Sequence, residues 1–160
     1  MKKNNLKKAF TLPEVVITLS VTIVVLAFIT SLAIIVSNVS KAQTYSQNCQ
    51  AEYQDACNLV DEFVNTYSTN EYDLSVLQTE SGYQIVFNNG SQTYQLTYNK
   101  NQKVMSAQIF DALSNQTNQK NTTFENIENI VFTKQNNLIK CEYYFNNYPT
   151  FTNLVVFGVD

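Results

Sequence analysis

Val15 to Val36 is a run of 22 residues without a single charge. As a helix rising 1.5 Å per residue it reaches roughly 33 Å. A bilayer core takes about 20 apolar residues in helical form, so the run is long enough for one tilted crossing. No Gly or Pro interrupts it, and its only polar members are Thr18, Ser20, Thr22, Thr30 and Ser31. Hydroxyls of that kind can return a hydrogen bond to the carbonyl four residues back, which makes them tolerable in lipid and useful at helix–helix contacts. The unusual residue is Glu14, a carboxylate at the threshold of the run. Moving an acid toward a bilayer centre costs roughly 2–3 kcal/mol, so this position calls for a partner.

Charge on either side of the run sets an orientation. All ten basic residues are lysines, and four of them (Lys2, Lys3, Lys7 and Lys8) precede the run, whereas only Lys41 follows it closely. The positive-inside tendency places the amino end in the cytoplasm and the bulk of the chain outside. A plain secretory leader has a basic region followed by an apolar core of about 7–15 residues. Here the order is Lys7-Lys8-Ala9-Phe10-Thr11-Leu12-Pro13-Glu14 and then a full span.

That order resembles the class III signal of type IV pilins and pseudopilins. The resemblance covers about the first 30 residues and no motif beyond them. It implies a leader at residues 1–9, removed on the cytoplasmic side by a prepilin peptidase that cuts between Ala9 and Phe10 and methylates the new amino terminus. Phe10 would become the N-methylated first residue. Glu14 would meet the amino terminus of a neighbouring subunit during assembly, each charge offsetting the other's cost in lipid. The implied partners are the prepilin peptidase, other pilin or pseudopilin subunits, an inner-membrane assembly platform and membrane lipid. Ala9 stands where Gly is usual, and Pro13 where an aliphatic residue is usual. Proline is tolerated there because a helix start leaves its first N–H groups unpaired anyway. Two plainer alternatives stay open. One is a secretory signal cut after Ala42, following Ser40-Lys41-Ala42. The other is a signal-anchor that holds a surface protein.

Beyond the span the helical period continues. Ala42, Tyr45, Cys49, Tyr53, Ala56, Val60, Phe63 and Tyr67 recur at steps of three or four, with Cys57 and Val64 widening the stripe. Glu52, Asp55, Asp61 and Glu62 lie mostly off it. We expect one nearly continuous helix from about Thr11 to Tyr67, its second half laid on a sheet by that stripe.

From Gly82 the period changes to two. Tyr83, Ile85 and Phe87 predict a strand, Asn89-Gly90 a hairpin turn, and Tyr94, Leu96 and Tyr98 the returning strand. A turn at Asn99–Gln102 leads to a strand at Val104–Phe110. Asp111–Thr122 reads as a loop or weak helix. Ile130–Thr133 and Leu138–Phe145 read as strands joined by Gln135-Asn136-Asn137. Asn146–Thr150, with Pro149, reads as a loop, and Leu154–Val159 as the last strand. The expected fold is α+β, a long amino-terminal helix packed on a carboxy-terminal antiparallel meander of about five to seven strands. The pilin resemblance implies the same architecture. The expected division is a leader at 1–9, a transmembrane and assembly helix at 10–36, and an extracytoplasmic pilin-like domain at 37–160.

Three cysteines, Cys49, Cys57 and Cys141, follow the span. On one helix Cys49 and Cys57 are roughly 12 Å apart, beyond the Cα separation of about 7 Å that a disulfide allows. Cys141, on the strand Leu138–Phe145, can reach either across a helix–sheet contact, and any disulfide is expected to be Cys57–Cys141. The alternative is three buried thiols used as small apolar residues.

Several function classes are disfavoured. The chain has no His, which removes Ser–His and Cys–His catalysis and most metal sites. It has three glycines and no phosphate-cradling loop. Without the leader its formal charge moves from −3 to −7, which disfavours direct nucleic-acid binding. The sequons at Asn38, Asn115 and Asn121 fit chance in an Asn-rich and Thr-rich chain. We therefore expect neither an enzyme nor a cofactor or metal site. The expected protein is an assembly subunit of a type IV pilus, a competence DNA-uptake pseudopilus or a type II secretion pseudopilus, anchored in the cell membrane and then carried on a surface filament. The rival is a membrane-anchored adhesin or binding domain that never polymerises.

Overall fold

A computed structural model describes residues 11–68, 72–111 and 117–157. The chain divides into two compact units, Met1–Thr44 and Tyr45–Asp160. One helix, α1 (Leu12–Tyr67, 56 residues), contributes to both. The apolar run and the stripe beyond it are thus one element, as their shared 3.6-residue period predicts. In the first unit every described residue of α1 is exposed.

The second unit is the last part of α1 and eight antiparallel strands. β1 (Asp73–Thr79), β2 (Gly82–Asn88), β3 (Gln92–Asn99), β4 (Val104–Asp111) and β5 (Thr117–Thr123) form a five-stranded sheet in sequence order. β6 (Ile127–Gln135), β7 (Leu138–Phe145) and β8 (Tyr148–Val156) form a three-stranded sheet, also in sequence order. The fold is α+β. It departs from the expected single meander of five to seven strands in having eight strands in two sheets.

Asparagine shapes the turns. Asn89 Oδ1 accepts hydrogen bonds from the N–H groups of Ser91 (3.1 Å) and Gln92 (2.8 Å) beside Gly90. Asn99 Oδ1 does the same for Asn101 and Gln102 at 3.0 and 3.2 Å. Asn136 and Asn147 take positive φ values of 53° and 54° in two-residue hairpins, a conformation that asparagine accepts more readily than most residues.

One core joins the helix to both sheets. Cys49, Ala56, Val60, Phe63 and Val64 of α1 pack with Ile85, Phe87, Leu96, Tyr98 and Met105 of the larger sheet, and with Ile130, Phe132, Ile139, Cys141 and Tyr143 of the smaller. Phe63 meets Phe87 at 5.8 Å and Tyr67 stacks on Tyr94 at 3.9 Å between ring centres. Tyr53 stacks on Phe151 at 4.7 Å. Ala42, placed on the buried stripe by its spacing, is exposed, and partial burial begins at Tyr45.

Three other sequence expectations are corrected. β1 precedes Gly82. Only Leu74 in it is buried, and Leu77 is exposed, so its alternation is faint. Asp111–Thr122, expected as loop or weak helix, supplies most of β5, an all-polar edge strand held by its ladder with β4. The expected loop Asn146–Thr150 shrinks to a turn, and β8 starts at Tyr148 with Pro149 inside it. Proline fits because β8 is an edge strand, where a missing N–H breaks no ladder on the open side.

The two sheets part at Phe124–Asn126, and a side chain on the helix holds the crossing. Glu52 Oε1 accepts from Glu125 N (2.9 Å) and Asn126 Nδ2 (2.8 Å), and Oε2 from Asn126 N (2.9 Å) and Ile127 N (3.1 Å). The β4–β5 ladder runs out at Val104 and Thr123, where β4 begins, and the carboxylate satisfies backbone donors that the crossing leaves without a strand partner. Tyr98 Oη donates to Ile127 O at 3.0 Å, and Lys134 Nζ to Leu74 O at 2.9 Å, tying the sheets together. Glu52→Gln keeps the shape but turns an N–H toward these donors and removes the charge. It is expected to lower stability by about 2 kcal/mol and to speed amide hydrogen exchange at Glu125, Asn126 and Ile127. Unchanged protection at those amides would show that the carboxylate does not hold the crossing.

Candidate functional site

The first candidate site is the start of α1. Thr11 precedes the helix, and Val15 N donates to Thr11 O at 3.2 Å as its first bond. Thr11 N and Thr11 Oγ1 both donate to Glu14 Oε2 at 2.9 Å. This is the carboxylate half of a capping box, in which a Glu three residues into the helix reaches back to the capping residue's N–H. The Thr-x-x-Glu spacing before an apolar run was there to be read in the sequence, and it gives Glu14 a role within its own chain. Pro13 sits in the first turn, where no donor is lost. Ala9 and Phe10, expected at a peptidase cut and a methylation, lie outside the described residues.

The helix that follows is long and apolar enough to cross a membrane, and none of its most apolar stretch is buried. Leu12, Ile17, Val24, Phe28 and Val36 are more than half exposed, and so are most of their neighbours. Exposed apolar area disfavours contact with water by about 25 cal/mol per Å², so this surface belongs against lipid or protein. The hydroxyls are satisfied within the helix. Thr18 donates to Glu14 O (2.7 Å), Ser20 to Val16 O (2.8 Å), Thr22 to Thr18 O (2.7 Å), Thr30 to Leu26 O (2.8 Å) and Ser31 to Ala27 O (2.9 Å). Past Glu14, the span therefore offers an apolar surroundings no unmatched side-chain donor.

The second candidate site is the sulfur cluster of the second unit. Cys49 and Cys141 are buried, Cys57 is half-buried, and all three are thiols. Cys57 lies on α1 between Tyr53 and Asp61, one helical turn from each. Tyr53 packs edge-on against Tyr143 at 5.2 Å, and Asp61 Oδ1 accepts from Asn153 Nδ2 at 3.3 Å. Cys141 stands directly across the ladder from Asn153 and two residues before Tyr143. Burial pushes the Cys141 thiol up to about 12, with the nearby Tyr143 hydroxyl pulling the other way. Burial likewise raises the Cys57 thiol and the Tyr143 phenol. The Tyr143 hydroxyl is buried without a nitrogen or oxygen partner. The nearby Cys141 and Cys57 thiols add to the rise that burial causes in this phenol. Among the described residues, no group of three or more His, Cys, Asp or Glu side chains is placed to hold a metal ion.

Comparison with family models, curated proteins and solved structures finds no match for this chain.

Proposed function

We propose that the chain is a structural subunit of the type IV pilin kind, a minor pilin or pseudopilin of a pilus, competence pseudopilus or type II secretion pseudopilus. The observation that carries this reading is Glu14, one carboxylate at the head of the uncharged and exposed stretch Val15–Val36 of α1, with four lysines ahead of it. In this reading the prepilin peptidase cuts between Ala9 and Phe10 and methylates Phe10. The helix then leaves lipid for the company of other subunits' helices, and Glu14 pairs with a neighbour's amino terminus. The capping box is compatible with that pairing. Thr11 uses Glu14 Oε2 alone, and cutting before Phe10 leaves the Thr11 N–H in place.

A second reading is a membrane-anchored surface domain that does not polymerise. It draws on the same capping box, since a carboxylate satisfied by its own chain has less need of a neighbour.

The test is the amino-terminal sequence and intact mass of the chain extracted from membranes of its native host. We expect a start at N-methyl-Phe10. A start at Met1 would favour the plain anchor. A start at Gln43 would make the protein a secreted domain and end any assembly role for Glu14.

A further inference from the structure

We propose that Cys57 and Cys141 form a thiol–disulfide site at which a disulfide donor links α1 covalently to β7, while Cys49 stays a thiol. The assignment concerns the second unit alone and stands whether or not the chain polymerises.

Position carries the argument. Helix residues four apart lie one above another on the same face. Tyr53 rests on Tyr143, and Asp61 is bonded to Asn153. Cys57, midway between them, is thereby set over the sheet between the level of Tyr143 and the level of Asn153. Asn153 and Cys141 are paired across the β7–β8 ladder, and paired residues lie about 4.5–5.5 Å apart. Cys57 therefore faces the stretch of β7 that bears Cys141. Cys49 is excluded as a partner for Cys57, since α1 runs unbroken through both. It also lies two turns nearer the β7–β8 hairpin, where Tyr45 Oη donates to Asn146 O and Ser46 meets Tyr148 Oη.

The chemistry balances as two exchanges with a small-molecule or protein disulfide, R–S–S–R. The Cys57 thiolate attacks one donor sulfur, forms a mixed disulfide and expels RS⁻. The Cys141 thiolate then attacks Cys57 Sγ and expels the second RS⁻. Two protein thiols are oxidised, one donor disulfide is reduced to two RSH, and the two protons go to those leaving thiolates. In the folded chain only Cys57, which is half-exposed, is open to the donor, since Cys141 is wholly buried. Burial also cuts the thiolate fraction of Cys141 by roughly a thousandfold against an ordinary thiol. Both exchanges therefore belong to folding, before the helix closes over β7. A disulfide requires the two Cα atoms to lie within about 7 Å.

The experiment refolds the reduced, detergent-solubilised full chain from urea with glutathione disulfide, blocks free thiols, and maps the peptides by mass. The expected product has lost two hydrogens, joins the Cys57 and Cys141 peptides, and carries the blocking group only on Cys49. It should melt about 10 °C above its reduced form. Cys49→Ser should leave the linkage intact, and Cys57→Ala should abolish it. Three blocked thiols, a bond involving Cys49, or glutathione retained on Cys57 with Cys141 free would each overturn the proposal.

Discussion

Glu14→Gln is expected to be cut and methylated like the parent chain, yet to fall roughly 30-fold or more in sheared filaments. An unpaired charge or a missing partner near the bilayer core costs roughly 2–3 kcal/mol, and each 1.4 kcal/mol is about tenfold in an association equilibrium. Glutamine is the informative substitution because its carbonyl oxygen can still accept from Thr11 N, which lies 2.9 Å from the present carboxylate. The cap survives and only the charge is lost. Glu14→Ala removes both and should assemble no better than Glu14→Gln. Normal filament yield from the glutamine variant, with loss confined to alanine, would reduce Glu14 to a helix cap and remove its proposed partner.

Gly82→Ala is expected to lower unfolding stability by about 3 kcal/mol or more. Gly82 opens β2 and is flanked by Thr79 on β1 and Asn99 on β3. A Cβ there would lie 2.0 Å from the backbone oxygen of Tyr98 and 3.1 Å from its carbonyl carbon. Neither can swing aside as a side-chain tip would. Tyr98 is wholly buried and its hydroxyl bonds to Ile127 O at 3.0 Å. A shift of its backbone therefore disturbs the join between the sheets. Gly90→Ala is the control. Its Cβ would meet nothing within 4 Å, and only its φ of 87° opposes the change. That strain costs about 1 kcal/mol. Urea midpoints of the detergent-solubilised full chains decide the matter, and equal losses at the two glycines would show that the β2–β3 approach relaxes.

The parts of the fold legible in the sequence are those set by neighbours along the chain. The reach of α1 follows from an unbroken apolar run passing into a stripe with the same period. The hairpin at Asn89-Gly90 and the Asn136-Asn137 turn follow from residues that accept positive φ. β5 was illegible because Thr117–Thr123 has no apolar residue, and its ladder with β4 supplies the order. The split into two sheets was illegible for another reason. The crossing is held by Glu52 meeting Glu125–Ile127, more than 70 residues away, and no period or turn signal records such a contact. At the helix start the Thr11–Glu14 spacing carried the cap in plain view. The helix spacing set Cys49 and Cys57 apart and left Cys141 able to reach either; only the contacts of Tyr53 and Asp61 with β7 and β8 place Cys57 near Cys141's stretch of the sheet.

The anchoring of α1 in the second unit has a mechanical side. Tyr45 and Ser46 hold one sheet's hairpin, Glu52 holds the crossing, Tyr53 and Asp61 hold β8, and Tyr67 stacks on β3. A pull directed along the helix axis loads all these attachments in shear, side by side, so they share the force and must fail together. A pull across the axis would peel them one by one. Within this unit, tension along the helix axis is the direction that the attachments of α1 resist best.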